Sequence, residues 1–132
     1  MMSKPVLPVT ITNSRGKCVT IPAVFDTGSF YTLIRRDCLP PATSCERLAE
    51  PRTLRAASRG SRLRVTGTTV LVIGVGGKKV LDHALVSPDL AREMIIGAGT
   101  MQQWDISIRN RNGRTRVVVA RGMGDPEITE VD

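Results

Sequence analysis

The stretch Val24-Phe25-Asp26-Thr27-Gly28-Ser29 decides how the rest of the chain is read. Ile21, Ala23, Val24 and Phe25 run straight into an acid, a small hydroxyl and a glycine. That is the pattern of a buried strand that stops abruptly and presents a carboxylate at a tight loop. A carboxylate in that position is costly unless it is paired or hydrogen-bonded, so its placement points to chemistry. A short acid-hydroxyl-glycine run also suits an ordinary turn. These six residues do not choose between the two readings, and the surrounding chain has to.

Length and composition set the frame. At 132 residues the chain is expected to form one domain with a real but modest core. Hydrophobic residues make up 41% and aromatics only 3%, so valine, isoleucine and leucine must fill the apolar positions. Such residues suit strands, and the twelve glycines and eight prolines break them into short ones. The formal charge of +7 comes mostly from arginines between Arg35 and Arg64 and between Arg109 and Arg121. These read as a solvated basic face, because there is no lysine run and few aromatics are present to stack on bases. Nucleic acid is therefore not expected as a partner.

Cys18, Cys38 and Cys45 show no C-x-x-C spacing, and with the single His83 they make no metal site. Free thiols, no metal and no cofactor are expected, in a reducing compartment. His83 reads as a structural residue of its strand. The first residues lack the apolar core of a signal peptide, and no stretch approaches the roughly 20 apolar residues of a membrane helix. The expected location is the cytoplasm, with no membrane partner.

Taken in order, Leu7–Thr12 and Cys18–Phe25 flank the turn Asn13-Ser14-Arg15-Gly16 and predict a hairpin leading into Asp26. A third strand is predicted over Phe30–Ile34, then a helical turn over 35–39 stopped by Pro40-Pro41. Residues 42–51 read as polar and irregular. Thr53–Val65 predicts an exposed β-hairpin with a small, mobile tip at Ala57-Ser58-Arg59-Gly60. Thr68–Val75 predicts a central strand, Gly76-Gly77 a tight turn, and Val80–Val86 the returning strand. No helix follows these glycines, which excludes a nucleotide loop. Met94-Ile95-Ile96-Gly97 predicts another strand and 98–103 a short helix. Trp104–Ile108 and Arg116–Val119 flank Asn112-Gly113, a strong hairpin signal. The acidic residues from Gly122 onward are expected to fray. No internal repeat is present, so a two-lobed enzyme within one chain is excluded.

In this order the features resemble a retropepsin, the single-domain aspartic protease of retroviruses and their bacterial relatives. Asp26-Thr27-Gly28-Ser29 resembles the active-site motif of the aspartic proteases, and the hairpin tipped by residues 57–60 resembles the family's flap. Ala84-Leu85-Val86 with Ser87-Pro88 resembles the step before its substrate-wall loop. Met94-Ile95-Ile96-Gly97 resembles its two-hydrophobics-plus-glycine motif before the short helix. The resemblance covers about residues 7–108. It implies a mainly β fold: a closed barrel, one lobe of the acid-protease fold, with one short helix near the C-terminal third. The protease domain would span 1–109, with 110–132 as a C-terminal hairpin and tail. The chain departs from the retroviral pattern at Phe30 and Tyr31, where acidic residues are usual, and at Ala98, where arginine is usual. Those charges tie the retroviral dimer together, so the interface here must differ.

The resemblance further implies an aspartic-type endopeptidase, a hydrolase acting as a homodimer on peptide or protein substrates. One Asp-Thr-Gly copy is not a site, because the chemistry needs two carboxylates that share one proton. Asp26, Thr27 and Gly28 would be the catalytic loop, supported by Ser29, Ile96 and Gly97. Ala57, Ser58, Arg59 and Gly60 would close over an extended peptide, and Asp89, Arg92, Glu93 and Ile95 would help line its pockets. Two rivals stand beside this reading: a catalytically silent module of the same fold that dimerises or binds peptides, and a basic β-domain that binds RNA.

Overall fold

The computed structural model describes residues 4–55 and 62–124. The chain opens with strands β1 (Val6–Thr12) and β2 (Cys18–Asp26), paired antiparallel from Val6 opposite Val24 to Thr12 opposite Cys18. Asn13 closes their turn. Its buried side chain accepts the Arg15 and Lys17 N–H groups and donates to the Pro41 carbonyl and the Thr43 hydroxyl. The remaining elements are β3 (Leu33–Arg35), a 3-10 turn at Arg36–Cys38, β4 (Glu46–Arg55), β5 (Arg62–Val75) and β6 (Lys78–Ser87). They are followed by β7 (Met94–Gly97), helix α1 (Ala98–Gln103), β8 (Ile106–Arg111) and β9 (Arg114–Val119).

Six strands close into a barrel in the order β1-β2-β7-β3-β6-β5, with Thr10–Thr12 of β1 pairing back onto Val72–Gly74 of β5. Closure leaves these strands without free edges. The pattern of β5 alternates buried and less buried residues along most of its length, as a strand with one face on a core requires. Phe25, Ile11, Ile34, Leu71, Ile73, Met94 and Ile96 fill the barrel, all essentially inaccessible. Each such side chain contributes about 1.5–3 kcal/mol through burial. A second, smaller cluster of Leu33, Val65 and Leu90 is edged by Leu48, Leu54, Leu63, Leu85 and Ile95.

Two segments differ from the sequence reading. Residues 46–51, read as irregular, are the first part of β4, and 53–55, read as a hairpin arm, are its end. β4 pairs only with β5 and is exposed along most of its length, so it carries no apolar alternation. Its pairing is interrupted between Arg47 and Arg52, which is where Pro51 sits, and a bulge or sheet edge tolerates proline. The third strand begins at Leu33, not at Phe30. The carbonyls of Ser29 and Phe30 accept the N–H groups of Ala98 and Gly99, so this backbone is committed to the start of α1 and not to a neighbouring strand.

The β8–β9 hairpin lies against the barrel. Ile106 and Val119 are part of the main core, with Ile108 and Val117 packed against it. Residue 109 is inside β8. No helix among the described residues is long and apolar enough to cross a membrane.

Candidate active site

Asp26 is the last residue of β2 and lies beside Gly97 in the parallel pairing of β2 with β7. The buried strand ends there in a turn, with the Ser29 N–H donating to the Asp26 carbonyl at 3.2 Å. The Gly28 N–H donates to Oδ1 of Asp26 at 2.9 Å. A Cβ at Gly28 would stand 3.1 Å from that oxygen, tighter than an ordinary contact. Oδ2 pairs with the Lys4 ammonium at 3.0 Å. The carboxylate is mostly covered, its side chain 16% exposed.

Lys4 was not singled out by the sequence reading, but the hairpin register contained it. Continuing the β1–β2 pairing two residues past Val6 and Val24 puts Lys4 opposite Asp26, and the Phe25 N–H donates to the Pro5 carbonyl at 2.9 Å on the way. The Lys4 side chain is 59% exposed, so the pair is of the weak, solvent-screened kind, worth about 0.2–1 kcal/mol.

Thr27 is exposed and Ser29 half-buried, with its hydroxyl donating to the Tyr31 carbonyl at 2.9 Å. Ile96 is in the core and Gly97 is buried beneath the loop. A Cβ at Gly97 would lie 2.3 Å from the Tyr31 carbonyl oxygen and 2.6 Å from that of Phe30. Only glycine lets β7 pass this close to the loop.

A chain of hydroxyls runs behind Gly97. Its N–H donates to the Thr32 hydroxyl at 3.0 Å, Thr32 meets Thr100 at 2.5 Å, and Thr100 donates to the Asp82 carboxylate. Each hydroxyl has one hydrogen. With that of Thr100 given to Asp82, the Thr32 hydrogen must point to Thr100, so every bond runs toward the carboxylate. Thr32 and Thr100 are both buried. Nothing in the sequence marks these threonines, since a hydroxyl in a strand looks the same as any β-branched residue.

The other expected site residues are placed as follows. Ala57, Ser58, Arg59 and Gly60 lie outside the described residues; the arms on either side of them pair from Arg52 opposite Val65 to Arg55 opposite Arg62. Asp89 is engaged by Arg64 of β5 through two guanidinium contacts of 2.8 Å and the Arg64 N–H at 3.1 Å. These bonds hold the Asp89 carboxyl down at about 2. Arg92 is exposed, and Glu93 offers its carbonyl to the Arg35 N–H at 2.9 Å. Ile95 belongs to the smaller apolar cluster. Beside that cluster is a cleft of about 90 Å³ lined by Tyr31, Leu48, Leu54, Val65 and Leu85. Phe30 and Tyr31 stack edge to face, ring centres 5.3 Å apart, and remain 62% and 41% exposed.

Among the described residues, no three or more histidine, cysteine, aspartate or glutamate side chains come together as a metal site would require. His83 is exposed on β6, and the three cysteines are free.

The barrel is similar to EIAV protease, solved in complex with an inhibitor, at a TM-score of 0.60 over 83% of this chain and 96% of that one. The fold is retropepsin-like. At 14% identity the similarity speaks to the fold alone. No family model and no curated protein matches the sequence.

Proposed function

We propose that the chain is an aspartic endopeptidase that works as a homodimer, with one Asp26 from each subunit. The observation that carries this reading is the placement of Asp26. It ends a buried strand of a retropepsin-like barrel, with one oxygen held by the Gly28 N–H and the whole loop braced by β7 and α1. A two-fold contact uses the same patch on both subunits. The exposed Phe30 ring and the exposed Thr27, both in the residues just after Asp26, would supply an apolar and a polar element for such a patch.

In the dimer the two carboxylates share one proton, since both cannot ionise at that separation. The ionised Asp26 takes a proton from a bound water as general base, and the water oxygen bonds to the scissile carbonyl carbon. The protonated Asp26 of the partner subunit gives its proton to the carbonyl oxygen. When the tetrahedral intermediate collapses, the first Asp26 gives its proton to the leaving amine as the C–N bond breaks, the partner's Asp26 takes a proton from a gem-diol hydroxyl, and the dyad returns to one shared proton. Extended peptide would lie against the paired arms of β4 and β5, through strand-like hydrogen bonds. The 90 Å³ apolar cleft beside Tyr31 suits one aliphatic side chain. Because Asp89 is tied to Arg64, the charges left to face substrate from this wall are those of Arg92 and Glu93.

The Lys4–Asp26 ion pair favours a second reading, a silent module of the same fold in which Lys4, not a second acid, is the partner of the carboxylate. Digestion of a mixed peptide library between pH 3 and pH 7 separates the two. The enzyme reading expects cleavage by the wild-type protein and none by Asp26→Asn. Equal cleavage by both, or none by either, sinks it.

A further inference from the structure

The β8–β9 hairpin sorts its residues onto two faces, and one of them has no use in peptide hydrolysis. Ile106 pairs with Val119 and Ile108 with Val117, and these four side chains face the barrel core. Strand side chains alternate, so the intervening pairs face away. Those pairs are Ser107 with Val118, Arg109 with Arg116, and Arg111 with Arg114. Four arginines, every one exposed, therefore share the outer face of a two-stranded ribbon. The tight turn at Asn112 and Gly113, both at positive φ, keeps the strands in register.

Like charges directly across a strand pair are destabilising, and this ribbon has two such pairs in succession. None of the four arginines makes an ion pair among the described residues. In the sequence they read as scattered basic residues on a solvated surface. The register instead concentrates them on one face that an anion would relieve.

We propose that this face binds the phosphodiester backbone of nucleic acid. Guanidinium groups grip phosphate oxygens in a two-pronged fashion, and every cation on the face is an arginine. Residues two apart on a strand lie about 6.7 Å apart, so each strand presents a pair of forks to successive phosphates. A β-ribbon also has the width to enter the major groove of a duplex. The remaining outward residues, Ser107 and Val118, supply no aromatic for base stacking, no apolar wedge for a membrane and no large anchor for a protein partner. Binding is consequently to the backbone and indifferent to sequence. The inference stands apart from the proposed peptidase activity and does not depend on it.

The test is fluorescence anisotropy of the full chain with a labelled duplex DNA and a labelled single-stranded RNA, across a salt series. Four phosphate contacts predict a slope of log K against log salt of about −3.6 on duplex and about −2.8 on single strand. The form bound more tightly at equal salt is the one held. Replacing Arg109, Arg111, Arg114 and Arg116 together by serine should weaken binding at least tenfold at low salt and flatten the slope. Replacing all four by lysine should keep most of the slope, and a retained melting temperature of the serine variant controls for folding. No binding by the wild-type protein at low salt, or a serine variant as tight and as salt-dependent as wild type, overturns the proposal. Tighter binding to phosphatidylserine vesicles than to either nucleic acid also overturns it, in favour of a membrane surface.

Discussion

The Lys4 ammonium sits 3.0 Å from Oδ2 of Asp26, on the oxygen that the Gly28 N–H leaves free. In a lone subunit this pair occupies the carboxylate that the proposed dyad needs. The two arrangements compete, because an oxygen held by an ammonium does not share a proton with a second acid. The pair is exposed and weak, so formation of the dimer can displace it. Lys4→Met should therefore dimerise at lower concentration, with its stability changed by less than about 1 kcal/mol. Sedimentation across micromolar concentrations checks this. Weaker dimerisation of the variant would show instead that Lys4 belongs to the interface.

Gly97 has no room for a side chain, since its Cβ would meet backbone oxygens at 2.3 and 2.6 Å. Backbone atoms cannot rotate aside as a flexible side chain can, so Gly97→Ala must push the Asp26 loop off β7. A loss of roughly 1–3 kcal/mol or more is expected, read as a lower urea midpoint. An unchanged midpoint contradicts the close packing described above.

Thr100→Val keeps the shape of the side chain and removes the middle of the hydroxyl chain. The Thr32 hydroxyl then loses its acceptor, and the Asp82 carboxylate keeps the His83 N–H but loses the Thr100 hydroxyl. Leaving the buried Thr32 hydroxyl without its acceptor costs about 1–3 kcal/mol. Faster amide exchange at Gly97 should accompany the loss, because Thr32 is the acceptor of that N–H. Exchange at wild-type rates would show that the chain does not brace β7.

Asp89 gives the stability a defined pH dependence. Hydrogen bonds from Arg64 lower its carboxyl from 3.8 to about 2. A depressed carboxylate stabilises the fold fully above its unfolded value, and the contribution fades as the pH falls from about 3.8 through about 2. The tether between β5 and the 88–93 loop thus survives most of the acidic range in which a proton-sharing dyad works. Denaturant melts of wild type and Asp89→Asn should differ at pH 7 and converge near pH 2. A difference that persists unchanged to pH 2 argues against the ion pair as its source.

Much of the barrel was legible because its strands carry apolar runs ending near glycine, as in Cys18–Asp26 and Met94–Gly97, and the β8–β9 hairpin beside it was legible from Asn112-Gly113. The part of β4 before Pro51 was not legible, because an edge strand that buries little has no reason to alternate, and Pro51 looks like a break; only the hairpin arm from Thr53 stood out. The site divides the same way. Asp26 stands out because an acid after Val24-Phe25 conflicts with burial. Thr32, Thr100 and Asp82 converge from three separate segments, so no local pattern reveals them. Lys4 and the four-arginine face are intermediate: both follow from strand register, which composition and charge counts do not supply.

The central claim is that each subunit contributes one acid to a shared site, and mixing tests it most directly. A fixed amount of wild-type protein, cleaving a peptide it is known to cut, is titrated with Asp26→Asn subunits and allowed to exchange. The account predicts that activity falls toward zero as wild-type chains are drawn into mixed dimers holding a single carboxylate. Activity that stays constant however much Asp26→Asn is added would contradict it, because each wild-type chain would then be acting without a second Asp26.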